Sequence, residues 1–331
     1  MKSHRSRSPC RVSYRALPAL ALVAALVMAC GRTRELPPCD DSPALPSAPK
    51  DPAAAVVVAA GDIAECPGGR QVETAALVDA IAPDAVLTLG DTVYPNGSLD
   101  EFLDCYHASW GRFRPITRAA VGNHEYHAPR AGPFFSYFCG GSGEPFEGRA
   151  SFDIGAWHVV ILNSNCGTEA DLPSSTSAEF GGCGADAPQA RWLKEDLAAH
   201  PSRCTLAMWH HPRFTSGPYG SAEYTSELWR ILHEAGADVL LTGHAHLYER
   251  FAPMDADGLL DTARGLREFV VGTGGKFPLH SVAKVHPESE VHNDETLGVL
   301  RLELRPNSYA WRFVPVAGSS FADEGEAPCH D

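Results

Sequence analysis

An α/β fold is predicted by three features of this 331-residue chain. Continuous apolar runs, Ala55–Ala60 and Ala85–Leu89, lack the alternation of half-exposed strands and so read as strands buried on both faces. Segments 73–81, 187–199 and 226–235 place apolar residues at helical spacing between such runs. Several runs stop at a glycine that is followed directly by a polar or charged residue, which is how a strand hands over to a functional turn.

The elements follow in order. The run 55–60 ends at Gly61-Asp62, helix 73–81 follows, and the run 85–89 ends at Gly90-Asp91. A third strand at 119–121 leads into Gly122-Asn123-His124. Segments 151–154 and 158–162 predict a hairpin, and 187–199 an amphipathic helix. A strand at 205–209 precedes His210-His211-Pro212. Helix 226–235 is followed by a strand at 239–241 and Gly243. The remainder is strand-rich, at 269–271, 297–304 and 309–314. No internal repeat or second break in composition appears, so one domain is expected over 54–331.

The N-terminal segment has a different character. Lys2, Arg5, Arg7, Arg11 and Arg15 form a basic region before a 13-residue apolar stretch, 17–29, too short to span a membrane. It ends in Val27-Met28-Ala29-Cys30, which resembles the lipobox of bacterial lipoproteins; with the cysteine incidental, it reads as an ordinary signal peptide. Residues 1–29 are therefore read as a signal peptide and the Pro-rich stretch 30–53 as a tether. Removal of 1–29 takes five cations and no acid from a formal charge of −14, giving −19. A surface that acidic argues against nucleic acid as a partner. Apart from Cys10 and Cys30, eight cysteines remain, an even number that suits disulfides in an exported chain. Cys166 and Cys183 flank a Gly/Ser/Pro-rich loop and are expected to pair. No C-x-x-C occurs, which disfavours thiolate metal binding.

Five motifs carry the chemistry: Gly61-Asp62, Gly90-Asp91-Thr92-Val93-Tyr94, Gly122-Asn123-His124-Glu125, His210-His211-Pro212 and Gly243-His244-Ala245-His246. Singly, each is compatible with an ordinary turn. Together they offer carboxylate, phenol, amide and imidazole groups, the donors that two adjacent metal ions need. His244 and His246 alternate along what reads as an extended strand, so both would face one side.

The motifs and their order resemble the calcineurin-like metallophosphoesterase superfamily, and Tyr94, three residues after Asp91, resembles its purple acid phosphatase branch. The resemblance covers about residues 54–320. It implies a four-layer α/β/β/α sandwich with two mixed sheets and a dimetal site at their junction. It further implies that Asp62, Tyr94 and His246 hold one metal, that Asn123, His210 and His244 hold the other, and that Asp91 bridges them. The family's His-x-Pro pattern selects His210 over His211. A phenolate at Tyr94 favours Fe(III), with Fe, Zn or Mn as the divalent partner. The reaction implied is phosphate monoester hydrolysis by a metal-bound hydroxide. The alternatives are phosphodiester hydrolysis at the same metals, or a non-catalytic binding protein.

His124 is read as the residue that hydrogen-bonds the phosphate or protonates the leaving group, with Glu125 orienting its ring. The sequence departs from the family where relatives often carry a second histidine: that place holds Tyr219, a weaker acid but still a hydrogen-bond donor. Thr92, where bacterial relatives often have Asn, is a milder departure. Arg250 is expected to pair with a buried acid. Gly272-Thr273-Gly274-Gly275 lacks the Lys-Ser/Thr of a phosphate-binding loop and is read as a tight turn near the site. His280, His286 and His292 fall in a loop expected to be exposed, with one of them within reach of substrate. The partner expected is a small phosphorylated substrate, with a membrane contacted only through the lipid anchor of an exported protein.

Overall fold

The computed structural model describes residues 36, 53–143, 146–167 and 182–330. The segment read as a signal peptide and almost all of that read as a tether lie outside the described residues. Leu36, assigned to the tether from sequence, is half-buried against the main core.

Fifteen strands are described: β1 (Ala55–Ala60), β2 (Ala64–Glu65), β3 (Ala85–Leu89), β4 (Val93–Tyr94), β5 (Thr117–Ala120), β6 (Ala150–Ile154), β7 (Trp157–Ile161), β8 (Cys204–Met208), β9 (Val239–Thr242), β10 (Tyr248–Phe251), β11 (Arg267–Val271), β12 (Ser289–Asn293), β13 (Gly298–Arg305), β14 (Ser308–Pro315) and β15 (Glu324–Pro328). A six-stranded sheet runs β15-β14-β13-β1-β3-β5, and a seven-stranded sheet runs β12-β10-β11-β9-β8-β7-β6. Both are mixed. β1, β3 and β5 are parallel at one side of the first, and β7, β8, β9 and β11 form the parallel centre of the second.

The continuous apolar runs now have a cause. In β7, Val159 and Ile161 face the core shared by the two sheets, while Val160 faces a second core under helices Pro188–Ala199 and Ser226–Glu234. Leu206 and Met208 alternate with Ala207 in β8 in the same way, and Val239 and Leu241 with Leu240 in β9. Strands covered on both faces have no side left for polar residues. Helix Gln71–Ile81 covers the six-stranded sheet, burying Ala75 and Val78. The result is the expected α/β/β/α sandwich. Leu228, Trp229, Ile231 and Leu232 form the buried stripe of helix Ser226–Glu234.

Arg250 does pair with a buried acid: its guanidinium grips Asp323 at 2.8 and 3.1 Å. Tyr248 and Trp311 donate to the same carboxylate, so Asp323, just before β15, is tied to β10 of the other sheet.

Several elements carry no sequence signal. The helical turns over residues 99–109 and the helix Gly132–Phe138 are built on aromatics, with Phe102, Tyr106, Phe134, Tyr137 and Phe138 packed on one another. Short aromatic-rich pieces show no clear period. β12 and β15 are half-exposed and poor in apolar residues, so they read as loops until a neighbour pairs with them.

Cys166 pairs with Cys183 as expected, and Cys66–Cys105 and Cys204–Cys329 are also closed. Cys139 is disulfide-bonded too, and Cys39 lies outside the described residues. Cys204–Cys329 closes 125 residues and Cys166–Cys183 only 17. Loop-closure entropy makes the longer link worth more by roughly 2 kcal/mol. Urea denaturation of Cys204→Ala/Cys329→Ala is therefore expected to show a larger stability loss than Cys166→Ala/Cys183→Ala, by about that margin.

Candidate metal centre

The site is built at the carboxyl ends of parallel strands from both sheets. Asp62 follows β1, Asp91 follows β3 and Asn123 follows β5; His210 follows β8 and His244 follows β9. Reversing the chain there requires unusual backbone. Asp62, Asp91 and His244 all have left-handed φ, at 58°, 47° and 64°. The glycines in the motifs permit close approach. A Cβ on Gly122 would lie 2.2 Å from both the Asp91 nitrogen and Oδ1, and one on Gly90 would lie 2.5 Å from the His210 ring.

Two donor sets result. In the first, Tyr94 Oη lies 2.6 Å from Asp62 Oδ1, 2.9 Å from Asp91 Oδ2 and 3.1 Å from His246 Nε2. In the second, Asn123 Oδ1 lies 2.9 Å from His210 Nε2 and 3.1 Å from His244 Nδ1, and His210 Nε2 is 3.4 Å from Asp91 Oδ1. Asp91 thus turns one oxygen toward each set. All seven predicted metal ligands converge here, in the two groups the resemblance implies.

The electrostatics suit cations. Burial, reinforced by the Asp62 and Asp91 charges, pushes the Tyr94 phenol well above its ordinary value. Its single proton cannot serve both carboxylates, so one close O–O contact lacks a hydrogen. Burial opposes ionisation of Asp91, yet His210 and His124 hold it well below the ordinary carboxylate range. Burial would also depress His210, but Asp91 lifts it to about 9. Burial and the His210 charge push His244 down to about 3, which leaves a neutral imidazole suited to ligation. His210 Nδ1 meets the Leu89 carbonyl at 2.8 Å, the outer contact that orients a metal-binding histidine through its other nitrogen. Among the described residues His246 Nδ1 has no hydrogen-bond partner. Clustered oxygen and imidazole donors of this kind fit two hard or borderline ions.

Three fully buried glutamates hold the loops. Glu125 accepts the N–H groups of Asp91, Thr92 and Gly122 at 3.0, 2.6 and 2.8 Å. It therefore fixes the metal-facing turns and not the His124 ring, contrary to expectation; His124 Nδ1 instead meets the Pro95 carbonyl at 2.7 Å. Glu268 accepts the N–H groups of Arg213 and Phe214, both at 2.9 Å, just after His210-His211-Pro212. Glu249 accepts the N–H of Ser216 at 2.8 Å.

Other expectations also need correction. Residues 243–247 are not an extended strand: Ala245 N–H bonds Gly243 O and Leu247 N–H bonds Ala245 O, two successive tight turns. The turns, not strand alternation, bring His244 and His246 to the same place. His292 lies exposed in β12, but His280 stacks on His246 with ring centroids 3.8 Å apart. The 272–275 segment lies near the site as expected, but it bends at 274–275 instead of closing a hydrogen-bonded turn; Gly274 N–H bonds Gly61 O and Lys276 N–H bonds Asp62 O. His211 stands beside the centre: its Nδ1 meets Ser164 Oγ at 2.9 Å, and one of its ring nitrogens lies within 4.8 Å of donors on His210 and His244. A cavity of about 280 Å³ opens over the donors. Its walls include His124, Tyr219 and His280, together with His127, which sequence reasoning missed. The available signal was the three-residue spacing from His124, which a 3₁₀ turn places on the same side.

The sequence profile of the Calcineurin-like phosphoesterase family matches residues 55–248, a span holding every donor named above. The chain belongs to that family. Purple acid phosphatase 15 of Arabidopsis thaliana is 29% identical over 206 residues, covering 51% of this chain and 36% of that protein. A nucleotide pyrophosphatase/phosphodiesterase of Hordeum vulgare is 25% identical over 284 residues, covering 71% and 69%. The purple acid phosphatase PPD1 of yellow lupin (Lupinus luteus) shares the fold with a TM-score of 0.69 at 17% identity, over 85% of this chain and 55% of that one. The chain thus spans only about a third of the Arabidopsis protein's length. A dinuclear metal site is implied by membership of the calcineurin-like family, and the donor set fits it.

The family's loops are held here by carboxylates that water does not reach. Burial pushes Glu268 up to about 8, outweighing its hydrogen bonds from the Phe214 backbone and Thr242. The folded state then keeps a proton that the unfolded chain releases above its ordinary value of 4.5. Stability contributed by this group is full below that value and is lost as pH rises toward about 8. Urea midpoints measured across this window should fall more steeply for the native protein than for Glu268→Gln, by an amount equivalent to a few kcal/mol.

Proposed function

We propose that this protein is an exported hydrolase of phosphate monoesters that works through a dinuclear metal centre. Asp62, Tyr94 and His246 would hold one ion, Asn123, His210 and His244 the other, and Asp91 would bridge them. The observation that carries this reading is the division of the Asp91 oxygens, with Oδ2 at Tyr94 and Oδ1 at His210. Tyr94 favours Fe(III) at the first position; Fe, Zn or Mn suits the second. When bound, the ions supply positive charge at the phosphoryl group and lower the pKa of water.

The chain's own residues do the rest. His124 is anchored through Nδ1 to Pro95, which leaves Nε2, 3.9 Å from Asp91 Oδ2, beside the cavity. There it can donate to a phosphoryl oxygen and give a proton to the departing alkoxide. Tyr219, exposed at the rim with its ring 5.4 Å from that of His244, offers a phenolic donor to the substrate. Among the described residues no serine, cysteine or threonine lines the cavity, which favours direct transfer to water over a covalent phosphoenzyme. The disulfides support an oxidising compartment. Among the described residues no helix is long and apolar enough to cross a membrane, and the proposed anchor is a lipid on Cys30.

A second reading, phosphodiester hydrolysis at the same centre, is favoured by the breadth of the match to the barley phosphodiesterase. Relative rates on monoester and diester substrates with one leaving group separate the two.

Elemental analysis of the purified chain should find at least two ions per chain, iron among them, with a visible tyrosinate-to-iron band. Two ions without iron or colour would retain the hydrolase and remove the Tyr94 assignment. Asp91→Asn should lose both metal and turnover, while ligand binding that survives it would point to a binding protein. His124→Ala should keep its metal and lose roughly 10²–10⁴-fold in kcat, the range of a general acid.

A further inference from the structure

A second cluster of metal donors lies at the other end of the seven-stranded sheet. His158 is the second residue of β7, on the face that also carries Val160 and meets helix Pro188–Ala199. Asp196 and His200 stand four residues apart at the end of that helix, so both project toward the same place. His158 Nε2 lies 2.9 Å from Asp196 Oδ2, and His200 Nδ1 lies 3.3 Å from Asp196 Oδ1 and 2.9 Å from the Asp196 carbonyl oxygen. One donor atom from each of the three residues falls within 4.8 Å of the others. Donors around a tetrahedral zinc ion are about 3.3 Å apart, given bonds near 2.0–2.1 Å. The donors of the family's own centre show the same close spacing here, from 2.6 to 3.4 Å.

The outer contacts also match a metal site. Asp153 is the cross-strand partner of His158 in the β6–β7 hairpin, and its Oδ1 meets His158 Nδ1 at 3.1 Å. A carboxylate on the far nitrogen fixes the tautomer in which Nε2 is the ligand. Ser151 Oγ donates to Asp196 Oδ1 at 2.6 Å and orients the second donor. His158 and Asp196 are buried, while His200 is half-exposed on its side-chain surface, which leaves an open side for a water as fourth ligand.

We propose that His158 Nε2, the Asp196 carboxylate and His200 Nδ1 form an accessory site for a borderline divalent ion of the zinc class. Two imidazoles and one carboxylate suit Zn²⁺ and disfavour Mg²⁺ or Ca²⁺, which take oxygen ligands. The ion would clamp the edge hairpin β6–β7 to helix Pro188–Ala199. It shares no residue with the cavity centre. The competing occupants are protons: an Nδ1–H of His200 donated to the Asp196 carbonyl, and a His158 imidazolium held between Asp153 and Asp196, would use the same geometry and exclude the ion.

The test is equilibrium dialysis of the metal-stripped full chain against micromolar Zn²⁺, followed by elemental analysis. His200→Ala is expected to retain one Zn²⁺ per chain fewer than the native protein. The difference between the two, and not the total, reads this site, so the result stands apart from the fate of the dinuclear centre. Asp153→Asn, at an exposed side chain, should keep the fold and weaken the same increment roughly 10–100-fold. Equal Zn²⁺ in native protein and His200→Ala, or an increment that appears only at millimolar Zn²⁺, would overturn the proposal in favour of the protons.

Discussion

A carboxylate removed from water is costly unless charge or hydrogen bonds replace its hydration, and Asp91 is such a group. Its surroundings are organised around meeting that cost. The His124 N–H reaches Oδ1 at 2.9 Å, Tyr94 reaches Oδ2, and His210 stands beside Oδ1. Its own N–H is held by Glu125. The packing is so close that Gly122 cannot carry a side chain. Two strands of one sheet and one of the other therefore fix their ends relative to one carboxylate. Without a cation the cluster balances its charge through histidines; with cations those same histidines become ligands.

The contrast between the floor and the rim of the cavity follows. The floor is immobilised from behind, with Glu125, Glu268 and Glu249 each gripping backbone N–H groups of the loops that carry or flank the donors. These contacts lie where water does not compete, which makes them strong and makes a missing partner expensive. The rim has no such backing: Tyr219 is 60% exposed. Metal-facing geometry is thus set by the fold, while substrate-facing chemistry rests on side chains with more freedom.

The sheets and the donors were legible because both signals are local. A strand buried on two faces must be apolar throughout, and four of the strand-end donors, Asp62, Asp91, Asn123 and His244, follow a glycine where chains approach closely. The three long helices, the Cys166–Cys183 pair and the pairing of Arg250 with a buried acid were readable for similar reasons. What could not be read depends on neighbours far apart in sequence. Glu125 was placed beside His124 by adjacency, but its carboxylate reaches back to residues 91 and 92. His280 comes to the cavity because its loop folds over His246, which no spacing announces. β15, with its alternating glutamates, is a strand only because β14 pairs with it. His158, Asp196 and His200 likewise form no motif; a hairpin and a helix brought from different parts of the chain create the cluster.

The left-handed backbone at Asp62, Asp91 and His244 limits how this centre can change over generations. Most side chains at those positions would strain the turn as well as remove a donor, so selection on folding and selection on chemistry act together there. Asparagine and glycine are the exceptions, since both accept that conformation at little cost. One nucleotide change turns aspartate into either residue, removing the charge without straining the backbone at that position. Descendants that lose the chemistry but keep the architecture have their shortest mutational path through Asp62 and Asp91, and such sequences would differ from their parent by a single letter at the end of a strand.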